Sequence, residues 1–163
     1  MFDGNPSERE EVDLYTEAAI TIQSLREVAL SQANALVEDY IAKRTELQMS
    51  QGDSFISLVL EVRARNENRS IQLVWGHVHY KKGKFVGRSA VKGKARGEFG
   101  YDLSSLAAEG PGWAKDLIKG CERKARLIRD ALHRLHEADT ALAVARARLT
   151  SLNPDSADEA EIP

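Results

Sequence analysis

Between Lys81 and Arg96 the chain has no acidic residue. The stretch reads KKGKFVGRSAVKGKAR and carries Lys81, Lys82, Lys84, Arg88, Lys92, Lys94 and Arg96. Other absences bound the protein as a whole. The 163 residues include one cysteine, Cys121, so there is no intramolecular disulfide, and a reducing compartment is expected. Cys121 falls on the apolar face of an expected helix with no base beside it, which suits a small buried hydrophobe better than a nucleophile. No apolar run approaches the roughly 20 residues of a membrane span. No basic start followed by an apolar core marks a secretory signal. A soluble, cytoplasmic protein without membrane contact is expected. There is no phosphate-binding P-loop, no GxSxG elbow and no dinucleotide fingerprint. GKFVGRS has glycines and a basic residue, but it follows a turn and opens no helix. No cofactor is expected.

What the chain does have is sorted charge. The net charge is −2, close to neutral. Residues 1–53 carry four basic and eleven acidic side chains; residues 54–101 carry ten and three; residues 102–163 carry nine and eleven. Positive charge concentrated in the middle of a near-neutral chain is the footprint of a surface for a polyanion, most often nucleic acid.

The organisation follows from periodicity. Residues 1–7 read as a flexible entry, with Gly4, Asn5 and Pro6 breaking structure and Ser7 and Glu10 at capping-box spacing. From Glu8 to Gln51 there is neither Pro nor Gly, and Tyr15, Ala18, Ile22, Leu25, Ala29, Ala33, Leu36, Tyr40 and Leu47 recur at helical spacing. Residues 54–91 alternate with period two in three runs. Ile56, Leu58, Leu60 and Val62 share one face of the first, and Ile71, Leu73, Trp75, His77 and His79 share one face of the second. Turns fall at Asn66–Arg69 and around Gly83, and Phe85–Val91 makes a third strand. Residues 92–112 form a basic, glycine-rich loop. A second helix is predicted over 113–152, with Ile118, Cys121, Ala125, Ile128, Leu132, Leu135, Leu142, Ala145 and Leu149 as its seam, broken near Asp139. Residues 153–163 form an acidic tail with the composition of a disordered segment. The expected fold is α+β: two long antiparallel, coiled-coil-like helices flanking a small antiparallel β-meander, in one domain over 8–152. The alanine-rich stripes are too long for three strands to cover, so pairing of helices between copies, a homodimer, is expected.

The candidate contact surface for DNA comprises Trp75, His77, His79, Tyr80, Lys81, Lys82, Lys84, Arg88, Lys92, Lys94 and Arg96. Lys and Arg neutralise phosphates, glycines allow close backbone approach, and aromatic rings stack on unpaired bases. The bland alternative is a solvated loop on a packed sheet face. His77 and His79, one residue apart on a strand, resemble the paired histidines of HUH endonucleases, which nick single-stranded DNA through a tyrosine; Tyr40 lies upstream of them. A third ligand is not evident, and no metal is assigned. His133 and His136, three apart on a helix, complete a second pair, but HRLHEAD reads as a charged surface.

The central block SLVLEVRARNENRSIQLVWGHVHYKKGKFVGRSAVKGKARGEFGYDL, Ser57 to Leu103, with the helix led by Trp113, resembles the MobI family of conjugative mobilisation proteins. The resemblance rests on the order of elements and the aromatic-plus-basic pattern, and it supplies no catalytic motif. It implies a non-enzymatic accessory factor of the relaxosome that acts at the origin of transfer alongside a separate relaxase. Two other functions compete on the residues: a nickase using Tyr40 with His77 and His79, and a coiled-coil adaptor whose basic patch docks an acidic protein.

Overall fold

A computed structural model describes residues 6–52, 55–65, 70–91 and 99–152. The first helix, α1, spans Pro6–Gln51. It starts earlier than the sequence suggested: proline suits the first helical position, where its missing N–H would have no partner. Ser7 is therefore already inside the helix and is not its cap. Strand β1 (Leu58–Arg65), β2 (Ser70–Lys81) and β3 (Lys84–Ala90) form a three-stranded antiparallel sheet in the order β1-β2-β3. A short helix, α2 (Leu103–Ala108), and a 3-10 turn at Gly112–Ala114 precede the long helix α3 (Lys115–Ser151). Residues 1–5, the turn at Asn66–Arg69 and the tail 153–163 lie outside the described residues. The α+β architecture expected from periodicity holds.

Helix α2 falls within the stretch read as a loop. Asp102 caps it, its side chain accepting a hydrogen bond from the Ser105 amide at 2.7 Å. That bond holds the Asp102 carboxyl below its usual range.

The chain divides into two compact units. One consists of Val28–Leu132 and contains the sheet. Period-two alternation sets its register: Leu60 pairs with Trp75 and Val62 with Leu73, so their side chains fall on the same face. That face is the core. Leu58, Leu60, Leu73 and Trp75 are buried against Ala33, Leu36 and Tyr40 of α1, Leu106 of α2, and Ile118, Cys121 and Ala125 of α3. The Tyr40 and Trp75 rings meet edge to face at 5.0 Å, an arrangement that adds about 0.5–1.5 kcal/mol to simple burial. Cys121 is buried, and burial pushes its thiol up to about 11, away from thiolate chemistry.

Two charged side chains sit inside this core. Glu122 and Arg129, one heptad apart on α3, join through parallel hydrogen bonds of 2.9 and 3.0 Å. Glu122 also accepts from Trp75 Nε1 at 2.7 Å and from the Tyr101 amide at 2.8 Å. Arg129 donates to the carbonyls of Leu73 and Phe99, both at 2.7 Å. The pair thus ties α3 to β2 and to the segment before α2.

The other unit combines Met1–Glu27 with His133–Pro163. Arg26 pairs with Asp139 at 3.0 Å, and the Arg146 guanidinium lies 4.5 Å over the Tyr15 ring. The two contacts fix antiparallel directions. The apolar seam expected here does not hold throughout. Leu25 and Leu149 are 49% and 51% exposed, and Ala145 is exposed as well. Polar and cation–π contacts occupy positions where leucines would meet in a coiled coil. The break anticipated near Asp139 holds the ion pair with Arg26. Among the described residues no helix is long and apolar enough to cross a membrane.

Candidate nucleic-acid interface

The β2–β3 hairpin builds the candidate interface. Lys81 and Lys84 pair across the strands, and Lys82 and Gly83 make the two-residue turn between them. Both turn residues have positive φ, +50° at Lys82 and +74° at Gly83. A right-twisted hairpin closed by two residues favours this geometry. Glycine adopts it freely. Lysine does not, because its Cβ crowds the following carbonyl in the left-handed region. The turn thus places a lysine at its tip where asparagine or glycine would fit more easily.

Lys81, Lys82 and Lys84 are all exposed and, among the described residues, make no ion pair. Tyr80 stands beside them, 53% exposed. Its ring meets Phe85 on β3 at 6.0 Å and Phe55, before β1, at 5.6 Å, both edge to face. Phe55 and Phe85 are 59% and 53% exposed. A shift in the strand pairing between His79 and Tyr80 marks a bulge at this point, a device that re-aims side chains near the end of a ladder. Phe55 was missed in the sequence because it alternates with the buried residues of its run. That alternation placed it on the outer face, and exposure of a phenylalanine there was the available signal.

Arg88 is less free. It pairs with Glu61 at 2.8 Å and lies 5.6 Å over the Phe85 ring. Arg63 shares the same Glu61 carboxylate at 3.2 Å. This cluster crosses the sheet where β2 has Gly76, at which a Cβ would come within 2.9 Å of the Ser89 carbonyl.

Trp75 does not belong to the surface. It is fully buried, and its indole N–H is used by Glu122. The alternation that put it beside Leu73 already pointed inward, and the basic stretch that follows does not change its face. His77 and His79 lie on that face too, toward the sheet's end. Half-buried His77 contacts Ser57 Oγ through Nδ1 at 2.9 Å and Glu109 through Nε2 at 3.1 Å. His79 is exposed and contacts Ser89 Oγ at 2.8 Å. Among the described residues, no three His, Cys, Asp or Glu side chains converge as metal ligands. His133 pairs with Glu137 at 3.2 Å along its own helix. Lys92, Lys94 and Arg96 lie outside the described residues.

Tyr40 is fully buried. Its hydroxyl donates to the Leu58 carbonyl at 3.0 Å, and burial raises its ionisation well above the usual phenol range. Both features oppose formation of an attacking phenolate.

A family model described as MobI protein matches residues 29–143, from α1 through the sheet and far into α3. The chain belongs to the MobI family. The matched segment includes the whole described sheet, the hairpin with Lys81, Lys82 and Lys84, and the buried pair Glu122–Arg129. This is a family of mobilisation proteins, in keeping with the resemblance carried by Ser57–Leu103. Comparisons with curated proteins and with solved structures give no significant match.

Proposed function

We propose that this MobI protein is a DNA-binding accessory factor of conjugative mobilisation, acting in the cytoplasm at the origin of transfer beside a separate relaxase. One observation carries the reading: the end of the β2–β3 hairpin presents Lys81, Lys82 and Lys84, all exposed, next to the exposed rings of Tyr80 and Phe85. The lysine at positive φ strengthens it, since the turn accepts local strain while holding a cation at its tip. Lys92, Lys94 and Arg96 follow in sequence and are proposed to extend the same contact. His79 is retained as a hydrogen-bonding group at its margin. Exposed Val144, Leu149, Leu14 and Ile20 in the helical unit support self-association through the long helices.

Catalysis is assigned to the partner relaxase. The enclosed Tyr40 hydroxyl and the engaged ring of His77 speak against a nickase that uses Tyr40 with His77 and His79. The reading is tested by incubating the purified protein with origin DNA, with and without divalent metal. Binding that is independent of metal and leaves the DNA intact is expected. Metal-dependent cleavage with a covalent protein–DNA adduct would transfer the assignment to a nickase.

A further inference from the structure

Three aromatic rings at one end of the sheet have no packing role that explains their exposure. Phe55, Tyr80 and Phe85 form a continuous edge-to-face row, with centroid spacings of 5.6 and 6.0 Å, and each is more than half exposed. Exposed aromatics of this size are usually withdrawn from water or used for recognition, and a contiguous group marks a binding surface. Lys81, Lys82 and Lys84 follow the row at the hairpin's end, with Lys81 and Lys84 alternating to the other side of the ladder, and Arg88 closes the row on the β3 side, held by Glu61. The paired carboxylate at Glu61 is mostly buried, so the chemistry facing solvent is aromatic and cationic.

These features favour one occupant. A duplex needs only cations, because its base faces are covered by neighbouring base pairs. An acidic protein segment needs cations too, but it does not call for a row of flat rings. A single strand presents phosphates and bare base faces together, and stacking on aromatic side chains accepts any base. We infer that the Phe55–Tyr80–Phe85 row, with Lys81, Lys82 and Lys84, is a platform for unpaired DNA, on which bases stack while the lysines contact the backbone. The inference rests on the DNA-binding reading and narrows it: the rings serve strands that have been opened, while a closed duplex meets the lysines alone.

The test compares a thymidine oligomer with a duplex of equal length, using the full chain at one fixed salt concentration. Phe55→Leu and Phe85→Leu keep apolar bulk and remove the ring. Phe85→Trp restores a stacking face. Phe55 lies before β1, so its substitution leaves every strand pair in place, and circular dichroism confirms folding of each variant. Each leucine variant is expected to bind the oligomer at least about fivefold more weakly, the lower end of what one lost base–aromatic stack costs. Duplex affinity should be unchanged, and Phe85→Trp should bind the oligomer like wild type. Oligomer binding unaffected by both leucine variants would overturn the platform while leaving DNA binding intact. Equal losses on oligomer and duplex would also overturn it, since the rings would then serve the hairpin and not the base faces. A wild-type protein that binds neither DNA would overturn this inference and the DNA-binding reading together.

Discussion

Arg129 reaches back along α3 to clasp Glu122 with two parallel hydrogen bonds, and the pair is sealed inside the core. Side chains on a helix lean toward its N-terminus, which gives the long arginine the reach to span this interval. Neither ion has water to fall back on. Every strong partner is instead supplied by the fold: the Trp75 indole, the Tyr101 amide, and the carbonyls of Leu73 and Phe99.

Removing one member should therefore hurt more than removing both. Arg129→Met leaves an uncompensated buried carboxylate, and a loss of about 3–5 kcal/mol is expected. The double variant Glu122→Gln with Arg129→Met should be more stable than Arg129→Met alone, because no bare charge remains. Urea unfolding of wild type, both single variants and the double variant gives the coupling. Additive losses would show that the two side chains act independently.

This pair also shows where sequence reading stops. Alternation along Leu58–Val62 and Ile71–Trp75 was enough to give the strands, their pairing and the buried face, because a one-residue slip would expose every apolar side chain. The long helices were legible from spacing and from the lack of Pro and Gly. Glu122 and Arg129 were not, since charged residues on a helix ordinarily mark its solvated side. Their positions flank the seam residues Cys121, Ala125 and Ile128, but nothing in spacing says that a charge is enclosed. Helix α2 escaped because six residues between glycines carry too little periodicity to register. Of the residues expected to contact DNA, Lys81, Lys82, Lys84 and Tyr80 lie exposed together at the end of the hairpin. Trp75 was drawn into the group by nearness in sequence, although its own alternation placed it inside.

Tyr40→Phe separates a packing residue from a nucleophile. The variant keeps the ring against Trp75 and loses only the bond to the Leu58 carbonyl, so a cost of about 0.5–1.5 kcal/mol is expected. DNA transfer in cells should be almost intact. Loss of transfer, together with a wild-type DNA adduct that the variant abolishes, would assign Tyr40 to catalysis. A pH effect should accompany the change. Burial raises the folded-state ionisation of Tyr40, so the neutral phenol's contribution is fully present below the unfolded value of 10.0 and is lost as pH climbs above it. In Tyr40→Phe, stability should fall less steeply above that pH than in wild type.

Lys82→Asn probes the trade between hairpin comfort and charge. Asparagine tolerates positive φ better than lysine. The variant should be as stable as wild type or more so, by up to about 1 kcal/mol, while binding DNA more weakly and with a shallower salt dependence. Thermal melts and DNA titrations on the same preparations read both effects. Lower stability would mean that Lys82 holds the turn by contacts of its own. Unchanged DNA affinity would place the hairpin tip away from the phosphates.

The salt dependence of DNA binding tests the central claim most directly. Titrations on origin-of-transfer duplex over a range of salt concentrations give the log-log slope for wild type and for the combined Lys81→Ala, Lys82→Ala, Lys84→Ala variant. Each lost phosphate contact lowers the magnitude of that slope by roughly 0.9. A DNA-contacting hairpin predicts weaker binding and a slope flatter by about one to three such steps. A variant with wild-type affinity and an unchanged slope, or a wild-type protein that leaves the DNA unbound, would contradict the account.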